Sequence, residues 1–178
     1  MSLISRNASF RLSHRWQIDG PIETVFDLVS DARTFPDWLH VFKSVESDSP
    51  RGHVGIGSRA RCKVRALLPY DLDWDITVTQ YDRPNLVETD CRLTIAGRFH
   101  LRGYVRYRFL RTGELILVIN EQELTPDHEL PGWVHSIALA VFSFNHHWAM
   151  NRARGALQQA VWQTSRQVRS VVAASPGR

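Results

Sequence analysis

From Phe10 to Ile18 the chain alternates strictly. Phe10, Leu12, His14, Trp16 and Ile18 share one side, and Ser9, Arg11, Ser13, Arg15 and Gln17 the other. A period of two predicts a half-buried strand. The period changes at Gly20-Pro21. Ile22, Val25, Phe26 and Val29 then recur at i, i+3, i+4 and i+7, the stripe of an amphipathic helix. Gly20 caps this helix, with Pro21 at its first position and Glu23 in its first turn. Asp31 opens a second, broken helical turn that Pro36 limits. Val41 to Glu46 reads as a short strand, and the loop Ser47 to Gly57 carries Pro50, Gly52, Gly55 and Gly57. Gly55-x-Gly57 follows no buried strand and opens no helix, so it reads as a glycine turn between strands rather than a phosphate cradle.

The next two segments form a hairpin. Arg59, Arg61, Lys63 and Arg65 alternate with Ala60, Cys62, Val64 and Ala66. After a turn at Pro69, Tyr70, Leu72, Trp74, Ile76 and Val78 alternate with Asp71, Asp73, Asp75 and Thr77. A basic row thus lies beside an acidic row on the outer surface, and such cross-strand pairs contribute roughly 0.2–1 kcal/mol each. The acidic row has basic neighbours and no loop geometry, which argues against a metal site. Val87, Thr89, Cys91, Leu93 and Ile95 mark a further strand, and Leu101, Gly103, Val105, Tyr107 and Phe109 another. Past the Thr112-Gly113 turn, the last strand carries Ile116, Val118, Asn120 and Gln122 on one face and Leu115, Leu117 and Ile119 on the other. A single long helical pattern, Val134 to Val168, closes the chain. Its stripe includes Val134, Ile137, Val141, Phe142, Asn145, Ala149, Ala153, Leu157 and Val161.

The 178 residues suffice for one domain with a sizeable core. A net charge of +4 is mild, and the charges alternate along strands instead of forming blocks, so nucleic acid is not an expected partner. Cys62 and Cys91 lack the spacing of a zinc site and read as small buried thiols. No metal or cofactor is expected. Met1 to Arg11 lacks the apolar core of a secretory signal, and the run Trp133 to Phe144 is too short to span a bilayer, which predicts a cytoplasmic protein.

The order of these elements carries a resemblance, and so do several motifs. They are Ile18-x-x-Pro21-x-x-x-Val25-Phe26-x-x-Val29-x-Asp31, then Phe35-x-x-Trp38, the turn Gly55-x-Gly57-Ser58, Leu68-Pro69-Tyr70-Asp71-Leu72-x-Trp74 and Phe144-Asn145-His146-His147-x-Ala149-Met150. Over about residues 9 to 165 the chain resembles the START-like, or Bet v 1-like, superfamily (SRPBCC). Within it, the chain resembles the bacterial branch described as polyketide cyclase/dehydrase and lipid transport. The resemblance implies an α+β helix-grip fold. In that fold a curved seven-stranded antiparallel sheet wraps a long C-terminal helix, with two short helices after the first strand. It implies one ligand-binding domain over residues 1–170, with a disordered tail over 171–178, and an internal cavity between sheet and helix.

That geometry turns the inward faces into ligand candidates: His14, Trp16, Tyr70, Trp74, Tyr107, Asn120, Gln122, Phe142 and Asn145. Asn120 and Gln122 are the sharpest signal, because an inward amide costs roughly 1–3 kcal/mol unless paired. The partners open to them are backbone, water, Asn145 or a ligand. His146 and His147 are adjacent on the helix and point in different directions, which excludes chelation from one face. The first reading is a protein that binds or transports a hydrophobic small molecule or lipid, with transient membrane contact. The second is a cyclase/dehydrase-type enzyme with His14, Tyr107 or Tyr70 as acid/base. Aromatase/cyclase relatives imply a pocket arginine, whereas the strand arginines here take the outer face. The third is an interaction module that forms a homodimer through Leu115, Leu117 and Ile119.

Overall fold

The fold was analysed in a computed structural model. It describes residues 9–65, 67, 71–128 and 132–174, the last segment without the side chains of 132–139 and 168–174. Seven strands, β1 (Phe10–Asp19), β2 (Phe42–Ser47), β3 (Arg59–Val64), β4 (Leu72–Asp82), β5 (Leu86–Ile95), β6 (Phe99–Thr112) and β7 (Leu115–Pro126), pair antiparallel in the order β1-β7-β6-β5-β4-β3-β2. Between β1 and β2 lie α1 (Ile22–Ser30), a 3-10 turn (Ala32–Thr34) and α2 (Phe35–Trp38). The chain ends in α3 (Gly132–Ala174), which is 43 residues long. This is the α+β helix-grip architecture that the element order implied.

The alternations become the two faces of the sheet. On the outer face Arg61 donates to Asp75 at 2.7 Å, and Arg65 holds Asp71 through two hydrogen bonds. On the inner face Ile18, Phe109, Ile116 and Val118 are essentially solvent-free and meet Val25 and Phe26 of α1. The rings of Phe26 and Phe109 pack edge to face at 5.1 Å between centroids. Leu157 and Val161 of α3 complete this cluster, both at 0% exposure. Burying each such side chain contributes about 1.5–3 kcal/mol. Both cysteines are free and buried, and burial pushes the thiols up to about 12 at Cys62 and about 11 at Cys91.

Two polar clamps fix the connections. The Gln158 side chain on α3 accepts from the Asp19 N–H at 2.9 Å and donates to the Asp19 carbonyl at 2.8 Å, so it pairs both backbone groups at the end of β1. Asp31, buried to 6% exposure, is held by Arg33 and by the Gly52 N–H, while Arg33 also donates to the carbonyls of Ser49 and Pro50. Burial raises the Asp31 pKa, but the hydrogen bonds from Arg33 and Gly52 and the Arg33 charge outweigh it, leaving the carboxyl below its usual range. The long glycine loop is thereby tied to the helical corner.

Some boundaries differ from the sequence reading. Pro21, in extended conformation, is itself the N-cap of α1, so the helix starts one residue later than expected. Gly20 instead serves close packing: at φ +145° it faces the Val161 side chain, where a Cβ would clash. The final helix starts two residues earlier than its pattern and continues through Ala174, so residues 171–174 are helical rather than a disordered tail. Residues 175–178, Tyr70 and the Leu68-Pro69 turn lie outside the described residues.

One glycine is required by backbone proximity. A Cβ on Gly103 of β6 would coincide with the Glu123 carbonyl oxygen of β7, because the sheet coils tightly there. Gly→Ala in an open strand relieves about 0.5–1 kcal/mol of chain entropy cost. Here the clash outweighs that gain, and overpacking costs about 1–3 kcal/mol. Gly103→Ala is therefore expected to lower the urea midpoint at constant m-value. An unchanged or raised midpoint would contradict the close approach of β6 and β7.

Candidate functional site

Helix α3 is not seated evenly. Its closest contacts are with β1, α1 and α2, and it touches the middle strands of the sheet little. The gap holds a partly open cavity of about 130 Å³. That is smaller than the range of about 300–1,000 Å³ usual for drug-sized ligands. It is close to the roughly 150 Å³ of a cavity that binds benzene. Trp16, Trp38, Trp74, Tyr107 and Phe142 fill the remaining space with their rings.

Six of the nine residues expected at the site line this cavity: Trp16, Trp74, Tyr107, Gln122, Phe142 and Asn145. Tyr70 lies outside the described residues. His14 and Asn120 do not line the cavity but sit beside it. Residues from the helical corner, Phe35, Trp38 and Leu39, and residues of α3, His146 and Met150, also form the wall. Periodicity placed Trp38 in the core, and nothing in a period reveals that a core ring borders a void.

The two strand amides pair with each other. Gln122 Nε2 donates to Asn120 Oδ1 at 2.9 Å, both residues being buried. Gln122 lines the cavity, whereas the Asn120 amide nitrogen is buried without a partner. Asn145 Oδ1 accepts from the Leu67 N–H at 3.1 Å, which ties α3 to the β3–β4 connection instead of to the strand amides. Burial alone pushes the Tyr107 hydroxyl well above the usual tyrosine pKa, so it stays neutral.

His14, next to Asn120 in register, packs against two imidazoles of α3. Its ring centroid lies 5.0 Å from that of His146 and 4.8 Å from that of His147. The two adjacent helical histidines are expected to diverge, yet the one β1 ring lies within reach of both. His147 is exposed, and its Nδ1 lies 2.8 Å from the Ser143 carbonyl, which fixes the proton on that nitrogen. Both ring nitrogens of His14 and the Nε2 of His146 are buried without a hydrogen-bond partner. Burial, then the neighbouring His147, holds the His14 pKa below its usual value. Burial, His14 and His147 together push His146 down to about 3. Among the described residues no group of three or more ligating side chains is placed to hold a metal ion.

The outer apolar strip is narrower than its pattern. Leu115 is exposed, but Leu117 and Ile119 are half-buried. Arg15 and Arg108 flank Ile119 in register, and their aliphatic stems can cover it.

Comparison with known proteins identifies the class. A family described as "Polyketide cyclase / dehydrase and lipid transport" matches residues 9–161, and the chain belongs to that family. Its fold is shared with a START superfamily protein from Mycobacterium smegmatis (17% identity, 86% of this chain and 98% of that one, TM-score 0.61). The Zhui aromatase/cyclase from Streptomyces sp. R1128 is also similar (12% identity, 88% and 95% coverage, TM-score 0.68). So is a norcoclaurine synthase point mutant from Thalictrum flavum (13% identity, 89% and 97% coverage, TM-score 0.63). No curated protein matches the sequence. Among the described residues no helix is long and apolar enough to cross a membrane.

The histidine row makes stability depend on pH. The unfolded chain binds protons near pH 6.5 that the folded His14 and His146 refuse, so the unfolded state binds more protons below that pH and stability falls with it. Each imidazole can contribute a slope of at most about 1.4 kcal/mol per pH unit. Asp31 adds its own loss only lower, where its carboxylate takes up a proton. Urea midpoints are expected to fall from pH 7 to pH 5 and to fall less steeply in His146→Gln. Equal slopes in the two proteins would show that His146 is not buried in its neutral form.

Proposed function

We propose that this protein binds, and carries, an apolar small molecule whose buried part is about the size of one aromatic ring. The cavity walled by Trp16, Trp74, Tyr107 and Phe142 carries this reading. An apolar ligand gains the transfer free energy of its surface there, about 25 cal/mol per Å² buried. The Gln122 carbonyl oxygen and the Tyr107 hydroxyl are the polar groups that would orient it. A longer lipid would place one end in the cavity and leave the rest outside through the open side.

The cyclase or dehydrase alternative has less support. His14 does not line the cavity, so among the described residues the acid or base candidates in contact with substrate are Tyr107 and His146. The strand arginines Arg61 and Arg65 are engaged by carboxylates on the outer face, leaving no guanidinium from them to hold an enolate. The three structural neighbours named above share the fold at 17% identity or less, which carries no reaction across.

The test is a calorimetric titration with toluene and 2-phenylethanol on the wild type and on Ala149→Leu. Ala149 lies in the cavity wall, and the added side chain would occupy ring-sized space. Saturable binding by the wild type, weakened at least about tenfold in a folded Ala149→Leu protein, is the expected result. Absence of binding by the wild type, or equal binding by both, would overturn the cavity as a binding site.

A further inference from the structure

We propose that the cavity takes a ligand bearing a carboxylic acid, and that His146 receives this acid group together with one proton. This deepens the binding reading above and rests on it.

His146 is the titratable base in the cavity wall, and its Nε2 is buried with no protein partner. A buried polar nitrogen left unpaired is costly, and a ligand group that reached it would relieve that cost. Among the described residues, His14 of β1 packs on this imidazole, and on α3 itself His147 lies close and the Phe142 ring stacks at 5.9 Å. Gln122, Tyr107 and Asn145 share the cavity wall with it, and Asn120 pairs with Gln122. The charges that His146 senses are those of His14 and His147, and among the described residues no carboxylate is one of them. An imidazolium at this position therefore lacks a counter-charge among the described residues. A ligand carboxylate would supply it.

The chemistry balances without another reactant. Free in neutral solution, the ligand is a carboxylate and His146 is uncharged. In the complex one proton from solvent sits between the carboxylate oxygen and Nε2, so the pair enters the apolar cavity with no net charge. No covalent bond forms or breaks. The proton comes from solvent through the partly open side of the cavity. Exposed His147 and cavity-lining His146 flank His14, with centroids 4.8 and 5.0 Å from its ring. An alcohol or an ester of the same shape brings no negative charge and has no reason to take up a proton. With a cavity of about 130 Å³, a ring-sized acid is the fitting probe.

The experiment compares phenylacetic acid, 2-phenylethanol and methyl phenylacetate by calorimetry at pH 5, 6 and 7, in two buffers of different ionisation heat. The acid is expected to bind with uptake of close to one proton and to weaken about tenfold per pH unit as pH rises, by linkage. The neutral analogues are expected to show no uptake. His146→Gln keeps a neutral hydrogen-bonding group. It is expected to retain 2-phenylethanol within about twofold while losing proton uptake and at least about tenfold in affinity for the acid at pH 6. Binding of 2-phenylethanol without binding of the acid would overturn this proposal and leave the cavity reading intact. Acid binding without proton uptake, or unchanged uptake in His146→Gln, would also overturn it. Failure of all three probes on the wild type would sink the cavity reading itself.

Discussion

The seating of α3 against the sheet sets everything else in this molecule. Around Ala153, Leu157, Ala160 and Val161 the helix is held in contact with β1 and α1, with small side chains allowing a close approach. Gln158 locks that contact by pairing both backbone groups of Asp19, and Gly20 leaves room for Val161. Toward its N-terminal half the same helix carries Phe142, Asn145, His146 and Met150. These are larger or polar, and they stand over the middle of the sheet without filling it. A rigid helix fixed at one place and propped at another cannot collapse onto a curved sheet, and the remaining space is the cavity. Close packing is the norm in protein interiors, so a void of this size persists only where such a geometric constraint keeps it open.

The polar groups of the interior divide into two sets. Asn145 and Gln158 satisfy backbone groups of other elements, and Asp31 with Arg33 does so for the glycine loop. Their work is structural, because each buried N–H or C=O they satisfy would otherwise lower stability. Asn120, Gln122, His14 and His146 belong to the second set. Gln122 pairs with Asn120 and His14 packs on His146, yet Asn120, His14 and His146 retain unpaired atoms in or beside the cavity. A fold selected for stability alone would fill those positions with aliphatic side chains, as it does two and four residues before Asn120 at Val118 and Ile116. The switch from aliphatic to polar along the inner face of β7 occurs where that face reaches the cavity, which Gln122 lines.

Much of the architecture was legible in the chain. Period-two alternation located all seven strands, and the charge rows on β3 and β4 emerged as ion pairs between Arg61 and Asp75 and between Arg65 and Asp71. The amides of β7 were visible as polar residues on an apolar face. Their choice of partner was not, because Asn120, Gln122 and Asn145 had equal claims on one another until the helix position was known. The histidines show the same limit. Adjacent residues on a helix diverge, and only the path of β1 brings His14 against both His146 and His147. His14 looked like the cavity base by alternation, but it stands one layer behind, with His146 at the wall.

By itself, then, the sequence determined the identity and order of the elements and the face that each side chain takes. Those follow from local periodicity and backbone chemistry, which are short-range. The tertiary structure alone decided how far α3 stands from the sheet, how large the resulting void is, and which polar atoms are left without partners. These depend on the summed volumes and angles of elements more than a hundred residues apart in the chain, as the pairing of Asp19 with Gln158 illustrates, and no local pattern encodes such a sum.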